Sequence, residues 1–267
     1  MNQKGGVSKT TTAVNLAAAL GQKGTRVLLI DLDKSTGATS ARGVPPTYEG
    51  TYEVMLGAAG IDEATLRWDD EELDDVTLPK NVDLVSSRRV LEGLEADLRE
   101  KNKFADPVMT LGREIERVAP GYDFVIADTA PDVSCPTLAS YQIFRWFIVA
   151  AVPQRLAVEG IDAALADLTA VKQARIPAGE LRGGCMCMVD GIRTRLNKIE
   201  IENVQAGLPW EAGLFSVIEK STVVGEAQNA GQPVGVYAPK HKIAALWARL
   251  ADEVIERLKL RKRSAAF

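Results

Sequence analysis

The sequence contains few cysteines. Cys135, Cys185 and Cys187 are the only three among its 267 residues. They are too few and too unevenly spaced for a disulfide framework, and the C-x-C pair lacks the second pair of ligands that a tetrahedral zinc ion needs. Because free cysteine is among the residue types most often buried, we expect all three to lie in buried strands.

Long apolar segments and an excess of positive charge are also missing. No apolar run reaches the roughly 18 residues that a membrane-spanning helix needs, and the N-terminus carries no apolar signal segment. We therefore expect a cytoplasmic protein. The net charge of −4 argues against a protein that coats nucleic acid over its whole surface. Any DNA contact must therefore be confined to a local basic patch.

The chain does contain a regular alternation of short apolar runs and helical patterns. The runs typical of buried parallel strands are 25–33, 81–87, 122–131, 145–153 and 183–191. Segments with helical spacing are 10–24, 89–100, 158–173 and 241–260. This alternation predicts an α/β fold, a doubly wound and mostly parallel sheet with helices on both faces.

The chain shows no internal repeat, low-complexity linker or domain boundary. We therefore expect a single domain over residues 1–267, with a basic C-terminal tail at about 257–263. The acidic run at 62–75 is predicted to be a solvated loop and the start of a helix, because charge runs are usually at the surface.

A phosphate-binding loop is the strongest motif. Residues 3–10, QKGGVSKT, lead into a predicted helix, and Lys9 and Thr10 match the end of a Walker A loop. In such a loop, backbone N–H groups hold phosphate oxygens and the lysine reaches the β- and γ-phosphates. The match to the general pattern is incomplete, because Gln3 and Ser8 stand where that pattern has glycines.

The match becomes specific when Lys4 is included. Residues 4–20 followed by 24–33, GTRVLLIDLD, resemble the deviant Walker A and A′ region of the ParA/Soj/MinD family of partitioning and positioning ATPases. The resemblance covers most of the chain, since 122–134 resembles the Walker B strand and 223–254 resembles the C-terminal stretch. These segments are most similar to the ParA/Soj proteins, and they imply a P-loop NTPase fold with ATP and Mg²⁺ as cofactors.

The resemblance implies a role for each lysine of the loop. Lys4 matches the signature lysine that contacts the ATP of the other subunit in a homodimer, and Lys9 matches the lysine that serves its own subunit. Gly5 and Gly6 would let the two backbones approach, since glycine has no side chain. The nucleotide-binding residues implied are Gly5, Gly6, Val7, Ser8, Lys9, Thr10 and Thr11.

Two acidic positions complete the implied site. Asp33 matches the residue that activates the attacking water, while Asp128 matches the Walker B aspartate that holds Mg²⁺ through water, together with Thr10. Both aspartates follow the carboxyl ends of predicted strands, where open α/β sheets bind their ligands. Asp31 is expected to have a supporting role. Ser8 departs from the family's usual glycine, at a cost on the order of 1 kcal/mol if its φ is positive.

Only three residues precede Lys4, whereas family members carry a central strand directly before this motif. Three explanations fit: the start codon was placed too late, the chain was truncated, or the sheet lacks its central member. We hypothesise that upstream residues belong to the natural protein.

DNA binding is implied by the family, whose partitioning members bind double-stranded DNA without sequence preference as ATP dimers. In these members a ParB-like partner stimulates ATP hydrolysis and release of the DNA. The resemblance therefore implies a nucleoid-associated protein. Phosphate contacts of this kind need only clustered positive charge. The candidate DNA-binding residues are Arg193, Arg195, Lys198, Lys220, Lys240, Lys242, Arg257, Lys259 and Arg261, with Lys262 and Arg263 beside them.

Two other functions share the lysine-rich loop. A MinD-like membrane-positioning ATPase would use an amphipathic C-terminal helix, and 243–263 is amphipathic and basic at its end. The segment RKRSAAF has little apolar surface, however, so stable membrane association is not expected. An iron–sulfur reductase that resembles the nitrogenase iron protein would need cysteines at a dimer axis. Cys185 and Cys187 on the predicted buried strand at 183–191 suit this poorly, whereas Cys135, just beyond the predicted Walker B strand, stays a candidate.

Overall fold

The structure is a computed structural model that describes residues 5–41, 43–44, 48–70, 78–100, 106–152, 156–174, 178–187, 195–208 and 213–262. The strands in this part of the chain are β1 (Val27–Leu32), β2 (Thr65–Leu66), β3 (Val82–Val85), β4 (Phe124–Thr129), β5 (Trp146–Ala151) and β6 (Glu180–Met186).

Helices connect these strands. They are α1 (Lys9–Gln22), α2 (Gly37–Ser40), α3 (Thr51–Leu56), α4 (Leu94–Glu100), α5 (Pro107–Val118), α6 (Cys135–Ile143), α7 (Leu156–Gln173), α8 (Arg195–Gly207), α9 (Thr222–Asn229), α10 (Val234–Tyr237) and α11 (Lys242–Lys262), with short 3-10 helices at Arg89–Gly93 and Ala119–Gly121.

The strands form two sheets. The larger has the order β2-β3-β1-β4, in which β3, β1 and β4 are parallel and β2 is antiparallel at the edge. The smaller is the parallel pair β5-β6. Among the described residues no strand joins β4 to β5, so the sheet is interrupted at its middle.

Alternating residues of β1 pack on opposite faces of the larger sheet, as strand geometry requires. Val27 and Leu29 belong to a core cluster that includes residues of α1 and α11. Leu28 and Ile30 belong to a second cluster that includes residues of α3 and α5. Both faces of the parallel sheet are therefore covered by helices, and the predicted doubly wound α/β class is confirmed.

The five predicted strands are confirmed. Four of them are one or two residues shorter at each end than their apolar runs, whereas β6 begins three residues before its run and ends at Met186. The predicted helix at 89–100 begins as a 3-10 helix at Arg89–Gly93 before α4. In the acidic run, the described residues 62–70 contain the edge strand β2 and no helix start. The loop prediction was wrong at Thr65 and Leu66, because pairing with β3 decides their conformation. Residues 71–75 of the run lie outside the described residues.

The buried side chain of Asn15 links the first helix to the C-terminal half of the chain. The Asn15 amide nitrogen donates to the carbonyl oxygen of Thr11 at 2.9 Å. Its oxygen accepts from the Val234 N–H at 2.8 Å, at the start of α10. Asn15 is buried, so neither bond competes with bulk water. α10 is thereby fixed against the N-terminal half of α1.

Candidate functional site

The loop before α1 has the backbone shape of an anion-binding turn. Gly6 has a φ of 73° and Ser8 a φ of 69°, and Gly5 and Gly6 are exposed. Val7 is 1% exposed and anchors the loop in the protein interior. α1 begins at Lys9, so the N–H groups of its first turn, including Thr10 and Thr11, lack intrahelical partners and face the loop. Such a helix start binds phosphate.

Ser8 adopts the left-handed conformation that family members fill with glycine. Its side-chain oxygen is buried and has no hydrogen-bond partner among the described residues. Both the positive φ and the unsatisfied hydroxyl cost stability.

We expect Ser8→Gly to raise the free energy of unfolding by about 1 kcal/mol. Glycine removes the cost of the positive φ and of the unsatisfied hydroxyl, and this gain exceeds the entropic cost of ordering glycine from the unfolded chain. Urea denaturation of the nucleotide-free protein measures this. Gly24→Ala is the control, since Gly24 has a φ of 82° with open space around it, and alanine there should destabilise through the backbone alone. A lower stability for Ser8→Gly would contradict the expectation.

Lys9 lies at the carboxyl edge of the sheet among carboxylates. Partial burial lowers the pKa of Lys9, whereas Asp128, Asp33 and Asp132 oppose this shift. The ammonium is therefore surrounded by negative charge in the absence of a ligand. A lysine in this position can bring one positive charge to a phosphate chain bound at the start of α1.

Asp128 occupies the fifth position of β4, directly opposite Asp31 of β1 in the parallel register. Burial raises the pKa of Asp128 to about 7, and the neighbouring Asp31 carboxylate adds to the increase. Neither carboxylate oxygen has a partner of good hydrogen-bond geometry among the described residues, although the nearby Thr10 hydroxyl lowers this pKa. Buried carboxylates are normally paired or bound to a metal ion. Asp128 and Thr10 therefore fit a hard divalent cation.

Asp31 fixes the loop that carries Asp33. Its carboxylate accepts hydrogen bonds from the N–H of Asp33 at 3.0 Å and from the N–H and hydroxyl of Thr39 at 2.9 and 2.7 Å. Burial raises the pKa of Asp31, and the two bonds from Thr39 oppose this shift. Asp33 in turn accepts from the N–H of Ser35 at 2.8 Å through its side chain. The supporting role expected for Asp31 is thus to shape this turn.

Sequence reasoning missed the contact between Gly37 and Thr10. A Cβ atom at Gly37, the first residue of α2, would lie 2.9 Å from the Thr10 hydroxyl oxygen and 3.0 Å from its methyl carbon. Thr10 is β-branched and has little freedom to move away. The absence of a side chain at Gly37 therefore leaves room for the hydroxyl that is proposed to contact the metal ion. No motif signals this pair, because 27 positions separate the two residues.

We expect Gly37→Ala to raise the Mg²⁺ concentration needed for half-maximal ATP hydrolysis by about tenfold, on the scale of a lost positioning contact. ATP binding in the absence of Mg²⁺ should change little. The measurement is a Mg²⁺ titration of hydrolysis, with Gly225→Ala in α9 as control, since a Cβ there meets nothing within 4 Å. An unchanged Mg²⁺ requirement in Gly37→Ala would remove the assigned role of this contact.

Apart from Arg257, the candidate DNA-binding residues fall into three groups. Lys198, Lys220, Lys240 and Lys242 are exposed, and Lys242 forms a 2.6 Å ion pair with Glu219. Arg195 lies in α8, and Lys259 and Arg261 lie in α11, but the structure does not describe these three side chains. Arg193, Arg263 and the signature lysine Lys4 lie outside the described residues.

Arg257 has a structural environment that the sequence did not suggest. Its guanidinium lies 3.9 Å from the centre of the Phe215 ring and donates to the carbonyl oxygen of Leu214 at 2.9 Å. A weaker contact reaches the carbonyl oxygen of Arg182 at 3.5 Å. This guanidinium holds α11 against the segment before α9 and is therefore poorly placed to contact DNA. For this reason Arg257 is left out of the DNA surface proposed below.

The cysteines are placed largely as expected. Cys185 in β6 and Cys187 just after it are buried, with their sulfur atoms 3.7 Å apart. Cys135 begins α6 and is only half-buried, so the expectation of a buried strand was wrong for this residue. Among the described residues, no group of three or more His, Cys, Asp or Glu side chains is arranged to hold a metal ion.

A parallel sheet with helices on both faces, and a phosphate loop between sheet and first helix, is the arrangement of a P-loop nucleoside triphosphatase. A family model described as "AAA domain" matches residues 1–178. The chromosome-partitioning ATPase Soj of Thermus thermophilus is 35% identical over 260 residues, which are 96% of this chain and 94% of Soj. The chain therefore belongs to the ParA/Soj/MinD family.

Solved structures share the fold. Apo McdA from Cyanothece superposes with a TM-score of 0.79 at 18% identity, over 95% of this chain and 97% of McdA. Cobyrinic acid a,c-diamide synthase from Mycobacterium smegmatis, solved with an ATP analogue and magnesium, superposes with a TM-score of 0.77 at 27% identity, over 97% of this chain and 93% of that one. No described helix of the present protein is long and apolar enough to cross a membrane.

Proposed function

We propose that this protein is an ATP-dependent partitioning ATPase whose ATP-bound dimer binds DNA without sequence preference. Hydrolysis, stimulated by a ParB-like partner, then releases the DNA. The ATPase activity and the use of ATP and Mg²⁺ follow from its Soj/ParA relatives and from the ATP-bound relatives in its fold. The observation that carries the proposal is the buried Asp128 carboxylate without a good hydrogen-bond partner, next to Lys9 and the start of α1.

The residues of the site divide the chemistry between them. The N–H groups at the start of α1 bind the phosphates, and Lys9 offsets their negative charge. Thr10 and Asp128 would hold Mg²⁺, and its positive charge would offset the negative charge that develops on the phosphates during hydrolysis. Asp33 would orient the attacking water. Its position is set by Asp31, which holds the N–H of Asp33 directly.

Dimerisation would complete the site. Lys4 of one subunit would reach the phosphates bound to the other, so that ATP stabilises the dimer more than the monomer. The exposed Gly5 and Gly6 leave the loop accessible to a second subunit. A ligand shifts such an equilibrium only by its difference in affinity for the two states, and the charge of Lys4 supplies that difference.

The proposed DNA surface consists of the exposed Lys198, Lys220, Lys240 and Lys242, together with the basic end of α11. These residues lie in the C-terminal third of the chain. When ATP is bound, this surface would attach the protein to the nucleoid. Contacts between lysine and phosphate read no base sequence and release counterions, so binding should weaken steeply with salt.

The test is DNA binding by the purified protein with ATP, with ADP and without nucleotide, at 50 and 200 mM salt. We expect salt-sensitive binding with ATP alone. The double variant Lys198→Glu/Lys240→Glu should bind at least about tenfold more weakly, with a shallower salt dependence. Lys80→Glu, an exposed lysine before β3, is the control for one charge reversal. Binding that ignores the nucleotide would overturn the proposed switch.

The membrane-positioning alternative is less well supported. The apolar face of α11, including Ile243, Trp247 and Leu250, is buried in the core against α1. A helix that packs this way offers lipid little apolar surface along its described side chains. Co-sedimentation with anionic liposomes tests the alternative, and ATP-dependent sedimentation without DNA binding would favour it.

A further inference from the structure

Lys34 directly follows Asp33 and connects three segments at the carboxyl edge of the larger sheet. Its ammonium donates to a carboxylate oxygen of Glu92 at 3.0 Å, in the 3-10 helix Arg89–Gly93. The same nitrogen lies 3.6 Å from a carboxylate oxygen of Asp132, in the loop between β4 and α6. One side chain thus joins the turn that carries Asp33 to two other segments.

A cleft of about 50 Å³ separates these three segments beside Lys34. It is lined by the end of β1, by the 3-10 helix and by the loop after β4, at Leu32, Leu91 and Ala130. Apolar packing across the cleft is therefore incomplete. The charge contacts of Lys34 supply the connection that packing does not.

The Asp132 carboxylate needs a positive partner. One of its oxygens is buried and has no hydrogen-bond partner among the described residues, and the other faces Lys34. Asp132 is also one of the carboxylates whose charge acts on Lys9. A triphosphate bound at the start of α1 would compete with Asp132 for the charge of Lys9. Lys34 is a second cation near Asp132, and it stays available when phosphates occupy Lys9.

The turn after Asp33 needs contacts from outside itself. Thr36 has a φ of 58°, which is strained for a β-branched residue. Its N–H donates to the carbonyl oxygen of Asp33 at 2.9 Å. That oxygen also accepts from the Ser87 hydroxyl at 2.8 Å, which fixes the buried side of the turn. On the solvent side, Lys34 provides contacts with neighbouring segments.

We propose that Lys34 is a positioning residue of the ATPase: by joining the turn after Asp33 to Glu92 and Asp132, it holds the Asp33 carboxylate where the attacking water binds. This role rests on the proposed function of Asp33, through which Lys34 acts without touching the nucleotide. The side chain of Lys34 is 42% exposed and that of Glu92 68%, so their ion pair contributes little to global stability. Its loss should therefore affect the turn and the rate of hydrolysis more than the Tm.

Steady-state ATP hydrolysis tests this role. We expect Lys34→Gln to lower kcat about tenfold and to change the KM for ATP by less than about twofold, since a misplaced carboxylate slows the chemical step without weakening phosphate binding. Lys34→Arg should recover most of the rate, because it keeps the charge. Lys23→Gln is the matched control, since it removes an ion pair with Asp252 just beyond the opposite end of α1. An unchanged kcat, or a higher KM at normal kcat, would overturn the proposal.

A double-mutant cycle with Glu92 tests the contact itself. Glu92→Gln should slow hydrolysis about threefold in the wild-type background and have no further effect in Lys34→Gln, where the contact is already lost. Equal effects of Glu92→Gln in the two backgrounds would show that Glu92 and Lys34 act independently. That result would also overturn the proposal.

Hydrogen exchange of the nucleotide-free protein gives a readout that needs no ATPase activity. The amides of Ser35 and Thr36 both donate to Asp33. We expect Lys34→Gln to speed their exchange about fivefold, with the amides of β3 unchanged as the internal reference. Unaltered exchange in the turn would contradict the role of Lys34. If the wild-type protein did not hydrolyse ATP, the proposed function would fail, and hydrogen exchange would still decide whether Lys34 holds the turn.

Discussion

Replacing Asp128 with asparagine is expected to stabilise the nucleotide-free protein and at the same time to abolish its magnesium-dependent ATPase activity. The two effects have one physical origin. The carboxylate is buried beside Asp31 without a good hydrogen-bond partner, which is costly in the empty site. The same negative charge is what a metal ion between the protein and a triphosphate requires. Asparagine removes the charge while it keeps the size of the side chain.

The sign of the stability change depends on pH. The folded-state pKa of Asp128 is raised to about 7, above the value of about 4 in an unfolded chain. Such a group contributes stability that is fully present below pH 4 and is lost as the pH rises through 7. At pH 8 the wild-type protein has lost the stability that the protonated Asp128 carboxyl provides. The stability of Asp128→Asn does not depend on this ionisation. We expect the variant to be more stable by roughly 2–4 kcal/mol at pH 8 and similar to wild type near pH 4.

Urea denaturation at pH 4.5 and 8 without nucleotide or metal measures this difference. The control is Asp69→Asn, an exposed aspartate outside the site, which should change stability by less than about 0.5 kcal/mol at both pH values. Hydrolysis by Asp128→Asn should fall at least about 100-fold. A variant that is less stable at pH 8 than the wild type would show that the Asp128 carboxylate is satisfied in the native protein.

Replacing Lys9 with alanine is expected to weaken ATP binding at least about 100-fold. Without its ammonium group, the start of α1 would face the carboxylates of Asp128, Asp33 and Asp132 with no compensating side chain from this helix. The triphosphate would then lose a charge-assisted contact and meet uncompensated negative charge, and each effect costs about 1.5–3 kcal/mol. The matched control is Lys23→Ala at the other end of α1, whose lysine pairs with Asp252 at 2.8 Å.

The companion variant Lys4→Gln separates the two lysines. If Lys4 serves the partner subunit, the variant should bind ATP as a monomer with nearly normal affinity and yet form no ATP-dependent dimer. Titration with a fluorescent ATP analogue and light scattering measure the two properties. Loss of ATP binding in Lys4→Gln to the same extent as in Lys9→Ala would contradict the assignment of Lys4 to the opposite subunit.

The sequence predicts those parts of the molecule that are encoded locally. The strand β1 is a continuous apolar run that residue type alone identifies. Its register with β4, which places Asp31 opposite Asp128, joins distant segments and was not predicted. The phosphate loop is also encoded locally. Because Ser8 replaces the family's usual glycine, the sequence analysis named a positive φ as the condition for a backbone cost, and Ser8 has a positive φ. Residue type and spacing carry these features because the hydrogen bonds that define them join near neighbours.

Features that depend on contacts between distant segments could not be predicted. β2 is a strand only because Thr65 and Leu66 pair with β3 across an acidic surface segment. Arg257 reads as part of a basic tail, yet its guanidinium stacks on Phe215, 42 positions away. The fit of Gly37 to Thr10 is likewise invisible until the fold brings the two together. In each case the deciding energy comes from a partner that composition and periodicity do not identify.

The amide of Asn15 restricts what evolution or an engineer can place at that position. It gives one hydrogen to Thr11 and takes one from Val234, both in the interior. Aspartate would keep the size but lose the donor, and leucine would lose donor and acceptor together. Leucine would leave the Val234 N–H buried without a partner, at a cost of about 1–3 kcal/mol, whereas aspartate would put a charge in the interior in place of the amide. The loop before α1 and the segment that leads to Lys240 and Lys242 thus depend on the same side-chain amide, and neither can be redesigned alone.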